Sequence, residues 1–190
     1  MPGSVHRLFF AVVPDAGALA AAGRVVADLR AAKTIGGRWT APAKYHVTAY
    51  FLGDHREPDA PVAAAPAAAA RIATAPFVIE FDRVVTFRGR YQVPCVLRCT
   101  QDSDRVLTDL WQQLDRALSR HGVDGDHERR YVPHLTIAYA DRMLERPIAI
   151  DPIRSPVGEF VLVDSVVGRD VHEVIGRWRL AAGAEAAPGS

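Results

Sequence analysis

The sequence has almost no excess charge and very little lysine. Its 190 residues carry 23 basic against 22 acidic side chains, for a formal net charge of +1, and Lys33 and Lys44 are the only lysines. The strong positive field that would hold a long nucleic acid non-specifically is therefore missing. A nucleic-acid substrate should be contacted locally, at an end or at one phosphate. The dominance of arginine reflects either coding bias or guanidinium forks that grip phosphate.

Cysteine is also scarce, and metal-ligand spacing is missing. Cys95 and Cys99 lie four residues apart on a predicted strand, roughly 13 Å by the rise per residue. A disulfide needs Cα atoms within about 7 Å, so we expect free thiols in a reducing, cytoplasmic compartment. The segment 121–128 carries histidines and carboxylates, but without the regular spacing of a metal site. We therefore expect no metal and no cofactor.

Long apolar runs are missing as well. No run approaches the roughly 20 residues of a membrane span, so no membrane partner is expected. The run from Leu8 to Val13 has six residues before Pro14. A signal-peptide core needs about 7–15, so this run is predicted to be the first β-strand.

The composition, 49% hydrophobic and 24% charged, predicts one globular domain over 1–180 and a disordered tail over 181–190. Apolar periodicity predicts strands and helices in alternation. The predicted strands are 7–13, 45–52, 77–87, 93–100, 133–140, 160–167 and 171–180. The predicted helices are 15–32, 60–74 with a break near Pro66, and 102–121 with a cap at Asp102 or Ser103.

Two strands share an unusual pattern. Residues 45–52 read YHVTAYFL, and residues 131–139 read YVPHLTIAY. Each follows a predicted strand and helix, so the chain resembles a duplication. The shared residues are His46 and Thr48 in the first copy and His134 and Thr136 in the second.

The pattern suits acid–base chemistry on a phosphodiester. Side chains two residues apart on a strand point the same way, so each histidine shares a face with its threonine. If the halves pack about an approximate two-fold axis, all four side chains meet in one cleft. A neutral imidazole can take a proton from water while a protonated one gives a proton to the leaving oxygen. Threonine hydroxyls can donate to the phosphate oxygens.

These segments resemble a known family. The sequences RLFFAVVP, RWTAPAKYHVTAYFLGD, YVPHLTIAY and FVLVDSVVGRDVHEVIGRWRL are similar to those of the two-histidine (2H) phosphoesterases. Within this group the chain most resembles the RNA 2′,3′-cyclic phosphodiesterases, also called 2′-5′ RNA ligases. The resemblance implies a bilobal α+β fold of two antiparallel sheets flanked by helices, with a central cleft.

The same resemblance implies an activity, the opening of RNA 2′,3′-cyclic phosphate ends to 2′-phosphates without metal. It assigns His46 as the general acid and His134 as the general base, with Thr48 and Thr136 beside them. A monomer is expected. Two alternatives stay open: a phosphodiesterase for a small cyclic nucleotide or 2′-5′ oligonucleotide, and a non-catalytic protein that binds RNA ends or nucleotides. The intact motifs argue against the last.

The chain departs from the family pattern at two positions. Relatives often carry a basic residue where this chain has Tyr50, and an arginine where it has Tyr139. Either Arg130, Arg142 or another arginine supplies the lost charge, or the substrate differs. The tyrosines can stack on a base, bind phosphate, or pack at the cleft edge. Among the other histidines, His6 and His172 are expected at strand-end surfaces, and His55 near the cleft mouth.

Overall fold

A computed structural model describes residues 4–89, 92–123, 131–169 and 172–182. The strands are β1 His6–Val12, β2 Gly37–Trp39, β3 Val47–His55, β4 Phe77–Thr86, β5 Val93–Cys99, β6 His134–Ala140, β7 Ile148–Val157, β8 Glu159–Val166 and β9 Glu173–Arg179. The helices are α1 Ala16–Ala31, α2 Asp59–Ala69 and α3 Gln101–Ser119, and a 3₁₀ turn spans Pro42–Lys44. Of the predicted tail, all but residues 181–182 lies outside the described residues.

The strands form one antiparallel sheet with two recognisable halves. Its order is β7-β4-β5-β6-β3-β1-β8-β9, and β2 adds to β6. The halves meet where β3 pairs with β6 at Val47 and Leu135. The predicted α+β class with antiparallel strands and flanking helices is confirmed, while the two expected sheets are joined by hydrogen bonding into one.

Helix α3 supplies much of the core. Its apolar stripe, Leu107, Leu110, Leu114 and Leu118, is completely buried, and the helix packs on β3 and β4. The predicted cap was wrong, because α3 begins one residue earlier with Thr100 as its N-cap. Ser103 Oγ instead accepts a hydrogen bond from the Glu80 N–H at 2.8 Å, which ties the helix to the neighbouring strand.

Two further differences from the predicted elements involve proline. Helix α2 continues through Pro66, although a proline there removes one backbone hydrogen bond. The helix holds because Ala65, Ala68 and Ala69 are buried, and α2 packs on α3. Strand β7 went unpredicted because Pro152 and Pro156 interrupt its pattern. It lies at the sheet edge, where proline is tolerated.

The remaining expectations concern thiols and membranes. Cys95 and Cys99 are both buried free thiols, as predicted. Burial raises the pKa of Cys95 to about 11 and that of Cys99 to about 12, so both stay protonated at neutral pH. Within the described residues, no helix is long and apolar enough to cross a membrane.

The burial of α3 generates a stability prediction. Leu110 is fully buried, so Leu110→Ala should lower the free energy of unfolding by about 2–5 kcal/mol, because the side chain is lost and a cavity remains. Gln112→Ala, on the exposed face of the same helix, should change it by less than about 0.5 kcal/mol. Urea denaturation measures both. Equal small effects would contradict the placement of this helix over the sheet.

Candidate active site

The site is built on the single pair that joins the two halves of the sheet. Val47 and Leu135, the middle residues of the two motifs, are antiparallel partners, and both are buried in the core. Because neighbours in an antiparallel pair run in opposite directions, the flanking residues of the motifs face each other across the strands. His46 therefore lies across from Thr136, and Thr48 lies across from His134.

All four side chains open into one cleft of about 1210 Å³. Each is partly buried, whereas the residue between the histidine and the threonine of each motif is fully buried. This is the alternation expected of a strand with one face on the core. The cleft is thus floored by two His-x-Thr motifs related by a local two-fold arrangement.

Both imidazoles are oriented by the backbone in the same way. The Nδ1 atom of His46 lies 2.7 Å from the carbonyl oxygen of Lys44, and that of His134 lies 2.7 Å from the carbonyl oxygen of Val132. A carbonyl can only accept, so each Nδ1 carries the proton and donates it. In the neutral ring Nε2 is then the proton acceptor, and this atom is the one suited to chemistry in the cleft.

The two imidazoles have different neighbours. Phe9 stacks on His46 with ring centroids 4.7 Å apart, whereas Phe87 meets His134 edge-on at 5.0 Å. His172 lies edge-on to His46 at 5.3 Å and lines the cleft. The expectation of a surface position for His172 was therefore wrong. It lies in the loop before β9, and no motif around it signals the cleft.

These neighbours act on the protonation of His46. Removal from water, with a smaller contribution from positive charge on His172 and His134, lowers the pKa of His46 to about 4. The hydrogen bond to the Lys44 carbonyl acts in the opposite direction. At neutral pH His46 is thus a neutral imidazole. A negative charge beside the ring would raise this pKa, because it favours the cationic form.

Tyr50 lies on the opposite side of β3 from the one that simple alternation predicts. In the β1–β3 pairing Ala11 faces Thr48, and Phe10 faces Tyr50, so β3 carries one extra residue, Ala49. Such a bulge reverses the alternation beyond it. Tyr50 is consequently fully buried, and its hydroxyl donates to Asp115 at 2.9 Å. Tyr50 also borders the cleft, but its ring is fully buried in this structure, so its predicted role in binding substrate stays a prediction.

The second tyrosine is placed by a matching bulge. In the β5–β6 pairing Val96 faces Thr136, and Cys95 faces Ala138, so β6 carries one extra residue, Ile137. The alternation is reversed again, and Tyr139 returns to the cleft side although it lies three residues after Thr136. Tyr139 is partly exposed and lines the cleft, as its predicted role in substrate binding requires.

Of the two arginines predicted to bind substrate, only Arg142 can be located. Arg142 is exposed and is not among the residues that line the cleft, and Arg130 lies outside the described residues. Arg38 on β2 lines the cleft instead, with its guanidinium 4.9 Å from the centroid of the Tyr139 ring. Sequence reasoning missed it because no strand was predicted over β2.

Two further expectations can be checked in part. His55 donates from Nε2 to the carbonyl oxygen of Leu52 at 3.0 Å and does not line the cleft. The segment considered for metal binding is 121–128, and its residues 124–128 lie outside the described residues. Within the described part of the chain, no group of three or more histidine, cysteine or carboxylate side chains is placed to hold a metal ion.

The cleft with its paired motifs defines the class of protein, and comparison with known proteins gives the family. Residues 18–168 match the model of the 2′-5′ RNA ligase superfamily. The chain therefore belongs to this superfamily of 2H phosphoesterases, which supports a phosphodiesterase-type enzyme in general. No curated protein matches the chain significantly.

Solved structures share the fold across the whole chain. Escherichia coli LigT without ligand superposes with a TM-score of 0.73 at 23% identity, covering 94% of this chain and 99% of that one. LigT complexed with 3′-AMP gives 0.74 at 24% identity, with 93% and 98% covered. The protein TT0787 of Thermus thermophilus gives 0.68 at 21% identity, with 94% and 100% covered.

The environment of His46 generates a prediction that needs no substrate. In an NMR titration of the free protein, His46 should titrate near the pKa of about 4. Phe9→Ala should raise that pKa toward the ordinary histidine value near 6.5, by about one unit or more, because water reaches the ring.

The matched control is Phe87→Ala, which exposes His134 instead and should move the His46 titration much less. A His46 that titrates near 6.5 in the unmodified protein would contradict the shielding by Phe9 and His172.

Proposed function

We propose that the protein hydrolyses the 2′,3′-cyclic phosphate end of RNA to a 2′-phosphate by acid–base catalysis between His46 and His134. The observation that carries the proposal is the crossed pairing about Val47 and Leu135, which gives each histidine a threonine partner from the other motif. Family membership supports phosphodiester chemistry. LigT, which shares the fold, has been solved with ATP and with 3′-AMP, which supports a nucleotide as the ligand here.

The reaction follows from the two Nε2 atoms. With a cyclic phosphate between the rings, the neutral imidazole takes a proton from water, and the water oxygen attacks phosphorus. The bond from phosphorus to the 3′-oxygen breaks, and the protonated imidazole gives its proton to that oxygen. The products are a free 3′-hydroxyl and a 2′-phosphate. Thr48 and Thr136 donate to the non-bridging oxygens as negative charge builds on them.

The order of the two histidines depends on substrate binding. We propose His46 as the acid and His134 as the base, the order that the family resemblance implies. His46 has a pKa of about 4 and must therefore become protonated when the substrate binds. An anionic phosphodiester beside the ring favours the cationic form. Proton uptake on binding is thus part of the proposed cycle.

Replacement of each histidine tests the chemistry. His46→Ala and His134→Ala should each lower kcat by about 10²–10⁴-fold, the usual contribution of a positioned acid or base. With a nitrophenolate leaving group, which needs no proton, His46→Ala should regain much of its activity, while His134→Ala should not. The measurement is kcat on a cyclic phosphate and on a nitrophenyl phosphodiester.

Rescue of His134→Ala instead of His46→Ala would reverse the two roles. Full activity in either variant on the cyclic phosphate would overturn the two-histidine mechanism.

Metal removal gives an independent test. Because imidazoles supply both proton transfers, hydrolysis of a nucleoside 2′,3′-cyclic phosphate should proceed at an unchanged rate after dialysis against EDTA. The rate is followed with and without added zinc or manganese. Loss of activity on chelation, with recovery on adding the metal, would show that the reaction needs a metal-bound water and would contradict the proposal.

A further inference from the structure

One cleft residue has no part in the reaction described above. Arg38 is exposed to solvent and lines the cleft, with its guanidinium 4.9 Å from the centroid of the Tyr139 ring. The two residues are also register partners between β2 and β6. An arginine over an aromatic face is held by the attraction between cation and ring, so Tyr139 fixes the position of this charge.

The close approach of β2 to β6 depends on a glycine. Gly37 has φ +117°, and a Cβ there would collide with the carbonyl oxygen of Tyr139. Only glycine therefore allows β2 to run beside Tyr139, which brings Arg38 across from the ring. The bulge at Ile137 completes the placement by turning Tyr139 toward the cleft.

The charge on Arg38 is available to a ligand. Arg38 makes no ion pair with any described residue, whereas Arg7, in the same cleft, is held by two hydrogen bonds of 2.8 and 2.7 Å to Asp54. A guanidinium that lies on a ring still has N–H groups along its edge, and this fork matches the oxygens of a phosphate.

The spacing sets which phosphate this is. Tyr139 lies three residues after Thr136, but the bulge at Ile137 makes this two steps of the ladder, roughly 7 Å along the strand by the rise per residue. A cyclic phosphate between the histidines is held by Thr136, so Arg38 lies farther along the cleft. In an RNA end, the next anion beyond the cyclic phosphate is the 5′-phosphodiester of the same terminal nucleotide.

We propose that Arg38, supported by Tyr139, forms a second anion subsite that binds this 5′-phosphodiester. The subsite would select oligonucleotide ends over single nucleoside cyclic phosphates. It also explains how a cleft with tyrosine at position 139 keeps a cation there, since the charge comes from the neighbouring strand. The inference rests on the proposed function for the identity of the substrate.

The kinetic test compares a substrate that has a 5′-phosphodiester on its terminal nucleotide with one that lacks it. Arg38→Gln should lower kcat/KM by roughly 10- to 100-fold for a dinucleotide that ends in a 2′,3′-cyclic phosphate, the size of a lost charge-assisted hydrogen bond. For the nucleoside 2′,3′-cyclic phosphate it should fall by less than about threefold. Arg38→Lys should be intermediate, because it keeps the charge but not the fork.

The control is Arg24→Gln, which removes the same charge from the exposed face of α1, outside the cleft, and should leave both substrates unaffected. Equal losses on both substrates with Arg38→Gln would place Arg38 at the scissile phosphate or in the fold and would overturn the second subsite. Equal losses with Arg24→Gln and Arg38→Gln would show that only the net charge of the protein matters, and this would also overturn the second subsite.

A binding measurement separates this inference from the proposed reaction. By calorimetry, the protein should bind adenosine 3′,5′-bisphosphate at least about tenfold more tightly than adenosine 3′-monophosphate, and Arg38→Gln should remove the difference. If neither cyclic phosphate is hydrolysed but this difference is found, the reaction fails and the subsite stands. If hydrolysis is found but Arg38→Gln leaves the difference unchanged, the subsite fails and the reaction stands.

Discussion

The cleft depends on one hydrogen-bonded contact, the pairing of Val47 with Leu135. On one side of this contact β6 pairs with β2, and on the other the Tyr131 hydroxyl donates to the carbonyl oxygen of Thr48 at 2.8 Å. The register of this single pair decides which side chains face each other. A slip of one residue would turn the histidines and threonines into the core and bring valine and leucine into the cleft.

The repeated motifs are alike in backbone but not in surroundings. Both histidines donate from Nδ1 to the carbonyl two residues earlier, so the local geometry treats them equally. Phe9 covers the ring of His46, and positive charge on His172 disfavours its protonation. The ring of His134 instead meets Phe87 edge-on. Two imidazoles in different surroundings differ in pKa, so that one can hold the proton while the other stays neutral. The asymmetric neighbours supply such a difference.

The two bulges show how one extra residue redirects a side chain. Each follows the threonine of its motif, at Ala49 and at Ile137, and each reverses the alternation beyond it. The position three residues after the threonine therefore faces the cleft in both halves, as Phe51 and Tyr139 do. The position two residues after it is turned toward the core, where the Tyr50 hydroxyl donates to Asp115.

The sequence alone determined the elements whose signal is local. The stripe of α3, the strand nature of the two motifs and the shared face of each histidine with its threonine follow from periodicity within a few residues. The tertiary structure decided what depends on partners distant in the chain: the bulge that buries Tyr50, the edge position that allows prolines in β7, and the positions of Arg38 and His172 in the cleft. Bulges, edges and register are properties of strand pairing, and no single strand encodes which neighbour it will meet.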